Sequence, residues 1–318
     1  MIGAILLMST LATTPNPPGW GPLAPDAALD AKVREVVEEA LVKFKDRGIK
    51  PDSLSVTFVE IDRNATQQRT GGYRADEGIY PASVVKAFYL AYAHRQLEDR
   101  KIKMSPELQR ALEDMIKESS NDATHHVMDV VTGTTAGPEL SDSEMKRWSE
   151  KRHSVNRWLQ SLGYSGQNAC QKTWCEGPYG RERVFLGSNF ENRNKLTAAG
   201  TARLFTEIVL GRMVNAKRCE EMLSLLKREI PADSEKADAQ SRGYTGKILP
   251  KGSALWSKAG WTDTARHDAA YVKLPDGKER VVVVYTFRLA TVADLIPFIA
   301  QRLLGVSPEW VADPQAVN

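Results

Sequence analysis

The sequence has little of what marks zinc-binding, nucleic-acid-binding or membrane-spanning proteins. Its three cysteines, Cys170, Cys175 and Cys219, show no paired CxxC spacing and no neighbouring histidine cluster, which argues against a structural zinc site. Lysine and arginine together number 43, aspartate and glutamate 40, and a net charge of +3 gives no reason to expect a polyanionic partner. After the first residues, no stretch approaches the roughly 18 consecutive apolar residues of a transmembrane helix. We therefore expect no metal, no nucleic-acid partner and no stable membrane span.

The N-terminus carries an apolar run that is too short to cross a bilayer. Residues 1–12 suit the core of a secretory signal, although the usual basic start is missing, and a proline-rich stretch follows them. Residues 1–25 are interpreted as a leader or signal-like segment with a linker; a packed N-terminal element is the alternative. The first interpretation predicts a periplasmic or secreted protein. In such an oxidising compartment Cys170 and Cys175 can form a disulfide, and unpaired thiols are the alternative.

The chain is long and apolar enough for a full core, since 42% of its 318 residues are hydrophobic. Apolar residues at helical spacing predict helices, and alternating or β-branched runs predict strands. The predicted helices cover residues 26–45, 84–97, 106–117, 123–131, 145–162, 197–210, 216–228 and 290–304, and the predicted strands cover 54–61, 255–261, 268–274 and 281–287. Gly71 and Gly72 are interpreted as a turn after the first strand.

Strands lie near both ends of the sequence, and the middle is mostly helical. This order predicts an α/β (α+β) fold, with one antiparallel sheet assembled from both chain termini and flanked by helices, plus an all-α subdomain. We expect a single domain over residues 26–306, with its α/β part at 26–80 and 245–306, its all-α part at 81–244, and a tail at 307–318. An irregular stretch at 163–195 is long enough to suggest a functional loop.

A Ser-x-x-Lys pattern places a lysine amine within reach of a serine hydroxyl, because residues three apart share one face of a helix. The pattern begins at Ser83, Ser143 and Ser224. Only the first copy lies in an apolar helix, which would bury Lys86 unless its amine reached the surface. Burial lowers an amine's affinity for a proton, and a lysine needs this if it is to accept one from serine.

Two further short motifs follow in order. Ser119 and Asn121 fall between two predicted helices, where a hydroxyl can relay a proton and an amide can hold a substrate carbonyl or position the lysine; ordinary helix capping is the alternative. The only Lys-x-Gly triplet is Lys258 to Gly260, within a predicted strand, where glycine often marks the close approach of a backbone or ligand. Each motif alone is weak, but their order and element types together indicate one active site.

Ser-x-x-Lys, Ser-x-Asn and Lys-x-Gly in this order resemble the motif set of the β-lactamase and penicillin-binding-protein superfamily, and the class A β-lactamases in particular. The likeness includes residues 80–86, 119–124 and 258–286, and it implies the β-lactamase/transpeptidase-like fold. It also implies a catalytic role for three side chains: Ser83 is acylated, Lys86 accepts its proton and Ser119 relays it. The substrate-binding residues implied in the same way are Asn121, Lys258, Gly260 and Trp261, with the backbone N–H groups of Ser83 and Trp261 as the oxyanion hole.

The chain departs from the class A pattern in the third motif. Ala259 stands where the family has threonine, so a hydroxyl that would meet a substrate carboxylate is missing. Arg266 or His267 in the next strand is a candidate for a compensating cation, and Arg266 is counted among the predicted substrate-binding residues. A solvated hairpin charge is the alternative.

The second departure concerns the glutamate that activates the deacylating water in class A enzymes, which has no clear counterpart here. Glu176 in the 163–195 loop is the first candidate for this catalytic role, and Glu182 and Glu191 are weaker ones. A plain surface acid is the alternative for Glu176. Without such an acid the enzyme would acylate and release slowly, as a penicillin-binding protein does, or would favour esters.

Three functions follow from these interpretations. The first is β-lactamase-like hydrolysis of a β-lactam amide through an acyl-enzyme on Ser83. The second is a penicillin-binding D-Ala-D-Ala peptidase or an esterase with slow β-lactam deacylation, and the third is a non-catalytic binding protein of the same fold. The intact motifs argue against the third. We expect a monomer that needs no cofactor and acts on a small β-lactam or peptidoglycan-derived molecule.

Overall fold

The computed structural model describes residues 23–174 and 176–307. The predicted leader up to residue 22, Cys175 and the tail from residue 308 lie outside this part. No helix within it is both long and apolar enough to cross a membrane.

The helices and strands of the described chain have the following bounds. The helices are α1 (Ala27–Lys43), α2 (Val85–Glu98), α3 (Pro106–Ile116), α4 (Asn121–Thr132), α5 (Asp142–Arg152), α6 (Ser154–Ser161), α7 (Arg181–Leu186), α8 (Ala198–Val209), α9 (Ala216–Leu226), α10 (Ala239–Arg242) and α11 (Leu295–Leu304). The strands are β1 (Ala24–Pro25), β2 (Leu54–Ile61), β3 (Arg69–Tyr73), β4 (Lys227–Arg228), β5 (Ala254–Trp261), β6 (Arg266–Lys273) and β7 (Glu279–Thr286).

The strands form one sheet in the order β1-β3-β2-β7-β6-β5-β4. All pairs are antiparallel except the short β1–β3 pair. Strand β2 pairs with β7 over the whole of residues 54–61 and 279–286, so the two ends of the chain meet in the middle of the sheet. The predicted α/β (α+β) fold, with a sheet built from both termini, is confirmed.

Both faces of the sheet are buried. In β7, Val282 and Val284 pack with α1 and α11, whereas Val281 and Val283 pack with the helical region. A strand that is covered on both faces has a continuous apolar run instead of an alternating one, as β7 does. Helix α2 is buried around nearly its whole circumference at the centre of the helical region. It therefore offers a rigid support for any residue it carries.

Two of the predicted elements were wrong. Gly71 and Gly72 lie inside β3 and do not form a turn. A Cβ on Gly71 would lie 2.2 Å from the carbonyl carbon of Leu29, and the Gly72 N–H donates to Asp30 Oδ1 at 2.8 Å. The glycines thus permit α1 to approach the strand closely. The single helix predicted at 145–162 is two helices, because the chain leaves helical geometry at His153, where ψ is 5°.

The long loop between α6 and α8 is held to the helical region by buried ion pairs. Arg152 donates to both carboxylate oxygens of Glu182, at 2.7 and 2.9 Å, and both side chains are almost fully buried. The Lys172 amine lies 2.8 Å from Asp129 Oδ1 and 3.4 Å from Glu182 Oε1. Because buried charges are tolerated only when they are paired, these four residues tie the loop to α4 and α5.

Replacing Glu182 with glutamine should destabilise the fold strongly. The change leaves Arg152 and Lys172 buried with one negative charge fewer, and breaking a buried pair costs about 3–5 kcal/mol. Urea unfolding measures the free energy of unfolding of the variant and of the unmodified protein. Glu150→Gln, at an exposed position of α5, is the matched control and should change the free energy of unfolding by less than about 0.5 kcal/mol. Equal effects of the two substitutions would contradict the assigned role of the ion pairs.

Candidate active site

Ser83 stands at the entrance of the buried helix α2. It lies in a short 3-10 turn at residues 82–84, and its side chain is half-buried. The preceding residue, Ala82, has a φ of 46°, a left-handed conformation that costs of order 1–3 kcal/mol for a residue with a Cβ. Such strain is concentrated at functional sites, where the surrounding structure enforces it. Lys86 follows three residues later and shares a helix face with Ser83.

Lys86 is fully buried and does not reach the surface. Its amine donates to Ser119 O at 2.6 Å and to Asn121 Oδ1 at 2.9 Å, and Ser119 Oγ lies 3.3 Å away. Ser119 has a φ of 56°, so a strained backbone residue presents both of its oxygens to one amine. The cap of α4 is Ser120, whose Oγ accepts the Ala123 N–H. Neither Ser119 nor Asn121 is therefore needed for capping.

Lys258 approaches the same hydroxyl from the sheet. It is fully buried on β5, and its amine donates to Ser119 Oγ at 2.9 Å, to Ala259 O at 2.9 Å and to Gln240 Oε1 at 2.5 Å. All three acceptors are neutral oxygens. The Ser119 hydroxyl therefore lies between two lysine amines, one from α2 and one from β5.

This crowding of positive charge sets the protonation of the site. Burial holds the pKa of Lys258 well below its usual value, and the charges of Lys86 and Arg228 lower it further. Arg228 is itself buried and paired with Asp238 at 2.7 Å. Like charges at close range disfavour each other's protonation, so the Lys86 and Arg228 charges favour a neutral amine at Lys258, next to the Ser119 hydroxyl.

Gly260 permits β5 to touch the start of α2. A Cβ at this position would lie 2.7 Å from Pro81 O and 2.9 Å from Ser83 N, both backbone atoms that cannot move easily. The missing side chain thus brings the β5 backbone, including the next residue Trp261, beside the Ser83 N–H. Two adjacent N–H groups of this kind are the usual means of stabilising an oxyanion.

Side chains take over from β4 along the outer edge of β5. Strand β4 pairs only with Leu255 and Trp256. Beyond it, Arg228 Nε donates to Ser257 O at 3.4 Å, and the Ala259 N–H donates to Gln240 Oε1 at 3.3 Å.

The two candidate cations on β6 have different surroundings. The Arg266 guanidinium lies over the Tyr244 ring, 4.6 Å from its centroid, and donates to Gly243 O at 3.2 Å. It is half-buried and is not a freely solvated charge. His267 is fully buried, its Nδ1 accepts the Thr286 N–H, and burial lowers its pKa to about 4. His267 is neutral at neutral pH, so the suggestion that it supplies a compensating cation was wrong.

The three glutamate candidates lie in three different settings. Glu182 is committed to the buried pairs with Arg152 and Lys172. Glu191 is exposed and accepts the Asn189 N–H. Glu176 is exposed on the loop and forms no hydrogen bond or ion pair with a described residue. Its role as the deacylating base stays a prediction.

Sequence reasoning missed the residues that hold the site from outside its motifs. Gln240 binds the Lys258 amine, and its own amide donates to Lys117 O at 2.7 Å. Tyr89 and His125 contact the loop, through Gln171 O and Thr173 O respectively. The spacing offered a signal for Tyr89 and His125. Tyr89 follows Lys86 by three residues and His125 follows Asn121 by four, so each shares a helix face with a motif residue.

Cys170 carries a free, buried thiol. Its Sγ–H donates to Asn168 Oδ1 at 2.9 Å, and burial raises its pKa to about 12. This corresponds to the unpaired alternative for Cys170 and makes it unreactive at neutral pH.

Gly260→Ala should impair acylation without unfolding the protein. The new Cβ would push β5 away from Ser83, and a displacement of about 1 Å near reacting groups can cost about 100-fold in rate. The burst rate with a chromogenic ester or β-lactam measures acylation, and circular dichroism checks the fold. Asp263→Ala, in the exposed turn after β5, is the control. A Gly260→Ala protein as fast as this control would show that the contact is unimportant.

Known proteins share this architecture at low sequence identity. The beta-lactamase from Sphaerobacter thermophilus DSM 20745 is 18% identical, with 86% of this chain and 96% of that chain covered and a TM-score of 0.61. PBP-A is 16% identical, with 90% and 97% covered and a TM-score of 0.59. TLA-3 extended-spectrum beta-lactamase is 13% identical, with 86% and 98% covered and a TM-score of 0.61. No curated protein sequence matches this chain.

A comparison with protein-family models gives a match as well. The model of the beta-lactamase enzyme family matches residues 49–304, which is more than half of the 318-residue chain. The matched range contains the Ser-x-x-Lys, Ser-x-Asn and Lys-x-Gly motifs whose side chains meet around the Ser119 hydroxyl. The chain therefore belongs to the beta-lactamase enzyme family.

Proposed function

We propose that the protein is a serine hydrolase that opens a β-lactam amide through an acyl-enzyme on Ser83. The observation that carries this proposal is the Ser119 hydroxyl held between the amines of Lys86 and Lys258, with Lys86 three residues beyond Ser83 on the same helix face. A proton acceptor and a proton relay then lie together in the site, as acyl transfer requires.

Acylation would use these groups in sequence. The Ser83 oxygen attacks the lactam carbonyl carbon while the Lys86 amine takes its proton. The backbone N–H groups of Ser83 and Trp261 stabilise the oxyanion that forms. Ser119 then donates its proton to the departing nitrogen and is reprotonated by Lys86, and the C–N bond breaks. Asn121 holds Lys86 in place and presents its amide to the substrate.

Arg266 is the proposed partner for the carboxylate that a β-lactam carries, since Ala259 offers no hydroxyl. It lies on β6, opposite Trp261 of β5, and it is half-buried. A periplasmic or secreted monomer remains the expected context.

A penicillin-binding peptidase or an esterase with slow deacylation is the second candidate. It is favoured by the loop segment that contacts α2 and α4, residues 171–174, which contains no carboxylate. PBP-A shares the fold, and a mutant of it is described as an acyl-enzyme complex with penicillin G. The two candidates share acylation and differ only in the rate of release.

Ser83→Ala should abolish hydrolysis while the fold is retained. Loss of the nucleophile removes covalent catalysis, so the rate with a chromogenic cephalosporin or ester should fall by at least about 1,000-fold. Ser224→Ala, in the exposed Ser-x-x-Lys copy on α9, is the matched control and should keep full activity. Hydrolysis by Ser83→Ala at a rate close to that of the control would contradict the proposal.

A further inference from the structure

Residues 171–174 of the long loop form a segment that contacts helices α2 and α4. The Tyr89 hydroxyl donates to Gln171 O at 2.5 Å, and His125 Nε2 lies 2.6 Å from Thr173 O. Tyr89 is about one turn beyond Lys86 on α2, and His125 is about one turn beyond Asn121 on α4. Lys86 and Asn121 are themselves hydrogen-bonded, so both residues that hold the segment lie about one helical turn along their helices from a residue at the catalytic amine.

Among the groups that contact this segment, His125 is the best placed to accept a proton. Lys172, within the segment, is paired with Asp129 and Glu182. Asp129 lies eight residues beyond Asn121 on α4, about 12 Å along the helix axis, and His125 only four residues, about 6 Å. The histidine is therefore closer to the acylation site by a full turn.

The hydrogen bond to the loop fixes the tautomer of His125. A carbonyl oxygen can only accept, so Nε2 carries the proton and Nδ1 keeps its lone pair. Nδ1 forms no hydrogen bond with a described residue and is not fully buried, so solvent can reach it. Burial lowers the pKa of His125; the hydrogen bond to Thr173 raises it, Lys172 lowers it, and Asp122 and Glu182 raise it. The net decrease keeps the ring neutral at neutral pH.

Two polar atoms beside the ring have no hydrogen-bond partner among the described residues. They are Thr173 Oγ1 and Trp174 Nε1, both buried. The Trp174 ring packs against His125 with 4.3 Å between the ring centroids. Buried groups of this kind are commonly satisfied by an ordered water molecule. Water next to His125 Nδ1 would thus find both a base and hydrogen-bond partners.

We propose that His125 is the general base that activates water for hydrolysis of the acyl-enzyme. This inference rests on the proposed function, because it concerns the ester formed on Ser83. Nδ1 takes a proton from water while the water oxygen bonds to the ester carbonyl carbon. The resulting oxyanion collapses, the bond from that carbon to Ser83 Oγ breaks, and its electron pair stays on Oγ. The proton returns to Oγ through the Lys86 amine, and the product leaves as a carboxylic acid.

His125→Asn tests this role because asparagine can still donate to Thr173 O but cannot accept the proton from water. The reaction with a chromogenic cephalosporin separates the acylation burst from steady-state turnover. We expect the burst to remain within about twofold and turnover to fall by about 100-fold or more. Turnover of the unmodified protein should rise with pH through a pKa below that of an ordinary histidine, and this step should vanish in the variant. His126→Asn, at the exposed neighbouring position, is the matched control.

Three outcomes would overturn the inference. Turnover in His125→Asn equal to that of the control would show that the ring is no base. Burst and turnover falling together in both His125→Asn and His125→Gln would show that the ring only holds the loop. Loss of turnover in Glu176→Gln, with turnover kept in His125→Asn, would assign the base to Glu176. The absence of any burst in the unmodified protein would instead contradict the proposed function itself.

Discussion

The central constraint in this molecule is the sharing of one serine hydroxyl by two buried lysine amines. Two ammonium groups cannot both be fully protonated at low cost so close together and so far from water. The site surrounds the amines with oxygens of Ser119, Asn121 and Gln240, and burial together with the charge of Lys86 holds the pKa of Lys258 well below its usual value. This crowding thus favours a neutral amine at the Ser119 hydroxyl, the proposed proton relay.

The fold maintains this arrangement from two independent directions. Helix α2 is buried nearly all round and fixes Lys86, while β5 lies in a sheet that both ends of the chain build and fixes Lys258. The two elements touch at Gly260, where any side chain would separate them. Ser119 joins them with a strained backbone, at a cost that the surrounding core must offset. The ion pairs of Arg152 with Glu182 and of Lys172 with Asp129 hold the long loop against α4 and α5.

Local patterns were enough to predict most helices, the strands β2, β5, β6 and β7, and the residues that meet at Ser119. The helices and strands depend on periodicity, which is visible along the chain. The meeting of Lys258 with Ser119, 139 positions apart, was predicted from the order of the motifs and from the resemblance to class A β-lactamases. Features that depend on distant partners were not visible. Gly71 lies in a strand that α1 approaches closely. The carboxylate of Glu182 is paired with Arg152, thirty positions earlier in the sequence. Gln240 supports Lys258 from a four-residue helix that has no periodic signal of its own.

The most direct test of this account is mass spectrometry of the protein mixed with penicillin G, quenched by acid at increasing times and followed by peptide mapping. The account predicts a covalent adduct of one penicillin on the peptide that contains Ser83, either transient or persistent according to the rate of deacylation. An adduct on any other residue, or neither an adduct nor hydrolysis of the penicillin at any time, would contradict it.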